Sequence, residues 1–197
     1  MKHMRKSLFF TLLFALPLLI LSPVSQAHFH YEIAVSTKFI ADKNQLKSLD
    51  LTFLYDPGVS DVYLEDIQED SLNQFAKGLV KDLAPLHYFT ELKLNGKTVK
   101  TGVARNAKAV TVGKGKQQRL KVSFNLPLAH PVALNGKSVF RLLHVDTTAS
   151  ATLYYDTLDS ISFSPSLAQS CSAAIQEING FKQGEQPQKV TVVCVTK

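Results

Sequence analysis

The chain has no tryptophan, only two cysteines and two methionines in 197 residues, and a single long apolar run. Each scarcity removes a class of protein. Without tryptophan there is no strong platform for stacking a sugar ring. Neither cysteine lies in a CxxC pair or beside a histidine, which argues against a cysteine-based metal site. One apolar run is too few for a polytopic membrane protein. A composition 45% hydrophobic and 19% charged is too apolar for a disordered chain. GxSxG, a phosphate-binding P-loop, HExxH and the dinucleotide fingerprint are all missing, so hydrolase and nucleotide-dependent readings lose their support. Acidic residues are missing from residues 92 to 145, which hold eleven Lys and Arg, whereas residues 31 to 91 hold eleven acids and five bases. That polarity fits a basic face docking on anionic lipid or an acidic partner. It equally fits lysines such as Lys93, Lys121 and Lys137 on solvent faces and edges of strands, where they oppose edge-to-edge association. No aromatic residues interleave the basic ones and no recognition-helix pattern occurs, so nucleic acid is not an expected partner.

The apolar run belongs to the start of the chain. Lys2, Arg5 and Lys6 precede an apolar stretch over residues 8 to 21 that Pro17 interrupts, and Ser25-Gln26-Ala27 follows with small residues at the −3 and −1 positions of a cleavage site. This is the layout of a secretory signal peptide cut after Ala27, and the stretch is short of the roughly twenty residues that span a bilayer. The sequence therefore predicts an exported, periplasmic protein of residues 28–197, a single domain that is not an integral membrane protein once cleaved. Removing Lys2, Arg5 and Lys6 from the 22 basic residues leaves 19 against 16 acids, so the net charge falls from +6 to +3.

Period-two alternation dominates the remainder: Tyr31, Ile33 and Val35; Leu49, Leu51, Phe53 and Tyr55; Leu120, Val122, Phe124 and Leu126. Such alternation marks half-buried strands. Asn95-Gly96 and Asn135-Gly136 read as two-residue hairpin turns, which would place Leu92 opposite Val99 and Val132 opposite Val139. Gly113-Lys114-Gly115 reads as a third turn. One stretch has helical spacing instead: Leu72, Phe75, Ala76, Leu79, Leu83 and Leu86, opened by a Ser71/Gln74 capping box and closed by Pro85. Antiparallel pairing of residues 170–178 with 188–196, about a turn near Lys182 and Gln183, sets Cys171 opposite Cys194, Ala173 opposite Val192 and Ile175 opposite Val190. That register predicts a Cys171–Cys194 disulfide in an oxidising compartment. The expected fold is mainly β: a β-sandwich of about eight or nine strands with one helical insertion.

Histidine carries what chemistry the sequence offers. After cleavage, His28-Phe29-His30 begins the chain. A free α-amine titrates near 7.7 to 8.0 and is available to a metal at neutral pH. The amine, two deprotonated amides and the His30 imidazole would make the square-planar nitrogen set that Cu(II) and Ni(II) prefer. Alternatively the amine and ring of His28 chelate one metal as a brace, with His30 completing the site. His144 and Asp146 form a second i, i+2 pair, either as ligands or with the aspartate orienting the histidine, and the bland alternative is a strand's polar face. The candidate metal residues are thus His28, His30, His144 and Asp146. His87 and His130 read as loop residues.

These residues together resemble domain-of-unknown-function family 1007, known as the periplasmic component of an uncharacterised ABC-type transport system. The Ala27-His28-Phe29-His30 start resembles the family's Ala-His-Pro-His. Tyr55-Asp56 resembles its Phe-Asp strand end, and Tyr88-Phe89-Thr90-Glu91 with Asn95-Gly96 resembles its Tyr-Phe-Thr-Glu segment and following turn. The cysteine after a strand fits Cys171. Phe29 replaces the usual proline and so keeps an amide that could deprotonate. Asp146 is retained where the neighbouring proline and aromatic pair are lost. The resemblance implies an accessory protein for transport of a divalent transition metal (nickel, cobalt or zinc, to which the nitrogen donors add copper), partnered with inner-membrane metal transporter subunits and not an enzyme. Two other readings stand beside it: a metal-free docking or structural β-sandwich, and a copper enzyme with a histidine brace.

Overall fold

The computed structural model describes residues 31–65, 67–178 and 187–196. The signal segment, His28, His30 and the turn expected near Lys182 and Gln183 lie outside the described residues. Two sheets face one another. The first runs β5-β6-β2-β1-β8, with β9 also on β1, and the second runs β10-β11-β7-β3-β4. Their strands are β1 Tyr31–Asp42, β2 Gln45–Tyr55, β3 Thr90–Leu94, β4 Lys97–Thr98, β5 Arg105–Val112, β6 Arg119–Ala133, β7 Gly136–His144, β8 Ala151–Tyr154, β9 Ile161–Phe163, β10 Cys171–Glu177 and β11 Gln188–Thr196. The molecule is the expected β-sandwich, with short β4 and β9 beyond the strands the alternation marks.

The alternation sorts side chains as period two requires. Ile33, Val35 and Phe39 of β1, with Leu120, Val122, Phe124 and Leu126 of β6, face Leu92, Phe140, Leu142, Val190 and Val192 of the second sheet. β10 and β11 pair in the anticipated register, Cys171↔Cys194, Ala173↔Val192 and Ile175↔Val190, and a disulfide joins the first pair. β3 and β4 turn at Asn95-Gly96, both at positive φ, and Val99 N donates to Leu92 O. β5 and β6 pair across the glycine turn, with Val112 opposite Arg119.

The Asn135-Gly136 hairpin does not form. β6 and β7 belong to different sheets: Val132 pairs with Leu46 of β2, and Gly136 opens β7 opposite Thr196 of β11. Leu134, fully buried, donates its N–H to Asn44 O. An apolar residue beside the turn anchors the crossing between sheets, where a hairpin would have left it at the solvent end of a ribbon.

The insertion contains two α-helices, α1 Pro57–Glu65 and α2 Leu72–Asp82. Asp56 caps α1, its Oδ1 accepting from Val59 N at 3.0 Å, and Pro57 occupies the first helical position, where a missing N–H costs nothing. That Asp-Pro signal follows directly on the alternating pattern of β2. α2 buries Leu72 and Ala76 of the expected face and half-buries Phe75 and Leu79; Val80, outside the expected set, is buried too, and the helix stops at Asp82, before Leu83 and Leu86. The Ser71 capping box is absent, because Ser71 has helical backbone angles and its hydroxyl donates to Asp70. α2 packs along the edge strand β5, where Asn73 Oδ1 accepts from Ala109 N at 3.2 Å. A helix over an edge strand hides backbone groups that would otherwise template association.

The basic stretch does not gather on one face. Lys93 and Arg141 point outward from the second sheet and Lys121 outward from the first. His130 lies within β6, exposed, rather than in a loop.

Candidate functional site

β7 ends at His144, opposite Thr90 of β3. The imidazole points into the sandwich and is 2% exposed. Its Nδ1 lies 3.2 Å from Thr90 Oγ1, and its Nε2 lies 3.3 Å from Thr37 Oγ1 of β1. Thr37 Oγ1 in turn is 2.9 Å from the hydroxyl of Tyr155, which follows β8. Two residues from each sheet are thus joined in one buried polar chain through the hydrophobic core. Phe53 meets the ring edge-on at 6.2 Å.

The direction of this chain follows from Thr90. Its hydroxyl donates to Tyr88 O at 2.8 Å. Having one proton, it must accept from the histidine, so Nδ1 carries hydrogen and Nε2 does not. Thr37 then donates to Nε2 and accepts from Tyr155. Burial lowers the His144 pKa to about 4, while the nearby Phe89 carbonyl, which favours the protonated ring, pulls the other way. The ring is therefore neutral at physiological pH. Burial likewise raises the Tyr155 phenol, against the Thr37 hydrogen bond.

Asp146 lies just past β7, in the loop that returns the chain to the first sheet, and is 4% exposed. Its Oδ1 accepts from Thr148 N at 2.8 Å and Thr148 Oγ1 at 2.7 Å; its Oδ2 accepts from Ser150 N at 3.0 Å and Ala151 N at 2.9 Å. Four hydrogen bonds compensate the burial of the carboxylate. The loop they shape delivers Ala151 to β8, which pairs in parallel with Tyr31 at the start of β1. Tyr31 N donates to Ser150 O at 3.2 Å. The Tyr31 phenol is raised to about 12, first by burial and then by Tyr63 and Asp146.

The 3-10 segment Ala84–Phe89 carries a further feature that sequence reasoning missed. His87, Tyr88 and Phe89 have φ of 51°, 55° and 53°. Three successive left-handed residues other than glycine cost about 1 kcal/mol or more each. The surrounding contacts hold them there: Tyr88 N reaches Leu83 O, Thr90 Oγ1 donates to Tyr88 O, and Val145 N donates to Phe89 O. The Tyr-Phe-Thr sequence gives no glycine or asparagine to announce such a turn.

The structure therefore places His144 and Asp146 at one end of the sandwich, each fully engaged with the protein. A cleft of about 10 Å³ lies between them and Leu153, room for about one water. Among the described residues no three His, Cys, Asp or Glu side chains come together as a metal cluster, so the described donors alone do not fit a metal ion. His87 is exposed on the left-handed turn. Among the described residues no helix is long and apolar enough to cross a membrane.

No curated protein matches the chain. A solved structure of AChBP from Bulinus truncatus is similar at 9% identity and a TM-score of 0.35, over 88% of this chain and 90% of that one. The model of the family described as protein of unknown function DUF1007 matches residues 13–191, and the chain belongs to that family.

Proposed function

We propose that the protein is an exported accessory of divalent transition-metal transport, periplasmic after cleavage behind Ala27, and that its metal donors are the α-amine and ring of His28 with His30. The observation that carries this reading is the junction of Tyr31 with Ser150. In sequence the triplet directly precedes Tyr31, whose N–H is held by the loop that Asp146 shapes. Three residues span at most about 10 Å, which bounds how far the donors can lie from Tyr31. In this reading His144 and Asp146 act beneath the metal by fixing the β7 exit and the entry of β1; as a direct ligand, His144 would have to exchange Thr37 for the ion. Nickel, cobalt, zinc and copper all suit nitrogen donors. Membrane transporter subunits are the partners this role requires.

Elemental analysis of protein recovered from the periplasm, beside a His28→Ala/His30→Ala variant, tests the proposal. The expected result is about one equivalent of metal in the parent, by the one-site stoichiometry of the nitrogen set, and none in the variant. Equal metal in both would overturn it.

A second reading is a metal-free docking or structural domain. It is favoured by the complete hydrogen bonding of His144 and Asp146, which accounts for both residues through folding alone. It predicts no metal in either protein.

A further inference from the structure

Between α2 and the beginning of β5 lies a pocket of about 350 Å³. Its origin is local. β5 slips register between Arg105 and Lys108, and Asn106 takes φ 58°, so the strand bulges away from β6 just where α2 stops covering it. Bulges at sheet edges commonly sit beside functional sites. Val80 and Ala84 supply apolar wall from the helical side, Val103 and Ala107 from the strand side. Val103 is 78% exposed at this position.

Three cations line the pocket, Lys77 and Lys81 from α2 and Arg105 from β5, and no carboxylate does. Lys77 and Lys81 are four residues apart on one helix face, where like charges repel. Among the described residues the one ion pair is Lys47–Asp42, so none of the three has a carboxylate partner there. Arg105 uses Nε on Asn125 Oδ1.

Tyr88 provides an independent sign of a ligand. Its side chain lines the pocket although the residue is 4% exposed. The hydroxyl accepts from Ala104 N at 3.0 Å and donates to no group among the described residues. A buried phenol normally finds an acceptor for its proton. The left-handed turn at residues 87–89 is what brings this ring to the pocket, so backbone strain is maintained at the place where a donor is left over.

We propose that this pocket binds a small amphiphilic anion, a single acidic head group on an apolar body. The head sits among Lys77, Lys81 and Arg105 and accepts the Tyr88 proton; the body covers Val80 and Val103. The volume is at the lower end of small-molecule sites and accommodates a chain of about eight carbons. A carboxylate and a phosphate monoester satisfy the same groups, and the probes below separate them.

The test is calorimetry and backbone-amide NMR on the exported chain with octanoate and octyl phosphate, against octanol, octylamine and inorganic phosphate. Saturable binding is expected for at least one amphiphilic anion, with shifts centred on the amides of Ala84, Ala104 and Asn106; the tighter of the two identifies the head group. Octanol, octylamine and inorganic phosphate should bind about tenfold more weakly or not at all. Lys77→Glu with Lys81→Glu, both exposed, should weaken the anion about tenfold while the protein stays folded. Val103→Asp should do the same from the other wall. Tyr88→Phe should weaken it about fivefold, but also removes the acceptor of Ala104 N, so the exposed variants carry the decision. Octanol or octylamine binding as tightly as octanoate, no effect of the lysine and Val103 substitutions, or no saturation by either anion at about 10 mM would each overturn the proposal.

Discussion

Thr90 Oγ1 stands 3.2 Å from Nδ1 of His144, directly across the β3–β7 pair. Because the same hydroxyl donates to Tyr88 O, the position of one proton fixes the tautomer of a buried imidazole and, through it, the order of donors as far as Tyr155. The cross-strand pair also ties the left-handed turn to β7. It therefore links a run of three left-handed residues to the buried polar chain.

The depressed pKa of His144, about 4 in the fold against 6.5 as its ordinary value, makes stability depend on pH. The unfolded chain takes up a proton at a higher pH than the folded one, so the contribution is complete above pH 6.5, declines as pH falls toward about 4 and is absent below that. The loss should reach about 3 kcal/mol. Urea unfolding at steps between pH 7.5 and pH 4 measures it, and His144→Gln should flatten the curve across that interval.

The Cys171–Cys194 bridge closes a span of 23 residues at the sheet edge. Replacing the pair by Cys171→Ser with Cys194→Ala should lower unfolding free energy by about 3 kcal/mol. Reducing agent should destabilise the parent comparably and leave the variant unchanged, as read by thermal unfolding.

Asp146 is the acceptor for four donors in one loop. Asp146→Ala leaves those donors to find water in a buried place and should cost about 3 kcal/mol. Asp146→Asn keeps one oxygen and should cost less. Hydrogen exchange at Ser150, Ala151 and Tyr31 should quicken in both variants, since these amides hang from the same loop.

Gly113 and Gly96 share φ of 83°, yet a Cβ on Gly113 would stand 2.3 Å from the Gln117 carbonyl oxygen whereas one on Gly96 meets nothing. Gly113→Ala should therefore cost about 2 kcal/mol or more and Gly96→Ala about 1 kcal/mol. Parallel urea titrations of the two variants compare them directly.

Much of this architecture was legible because period-two burial and Asn-Gly or Gly-Lys-Gly turns are local signals. The β10–β11 register is legible too, since only one alignment sets the two cysteines and the alternating apolar residues on a shared face. Two things were not. The Asn135-Gly136 dipeptide carries the same turn chemistry as Asn95-Gly96, and only the partners of Val132 and Gly136, in two different sheets, decide that it crosses the sandwich. The His144 site is closed by Thr37, Thr90 and Tyr155, hydroxyls far apart in the chain whose sequence neighbourhoods look like ordinary strand. Spacing alone reveals the His144–Asp146 pair; it does not reveal that each side chain has its own separate hydrogen-bonding set.

The central claim, that metal is held by the amine and histidines of a chain beginning at His28, is most directly tested by titrating Ni(II) and Cu(II) into that chain and into one bearing a single extra residue before His28. The account predicts about one tight equivalent for the first and binding weakened about a hundredfold or more for the second, because the extra residue moves the α-amine off His28 and takes it out of the nitrogen set. Equally tight binding by both chains, or none by either, would contradict it.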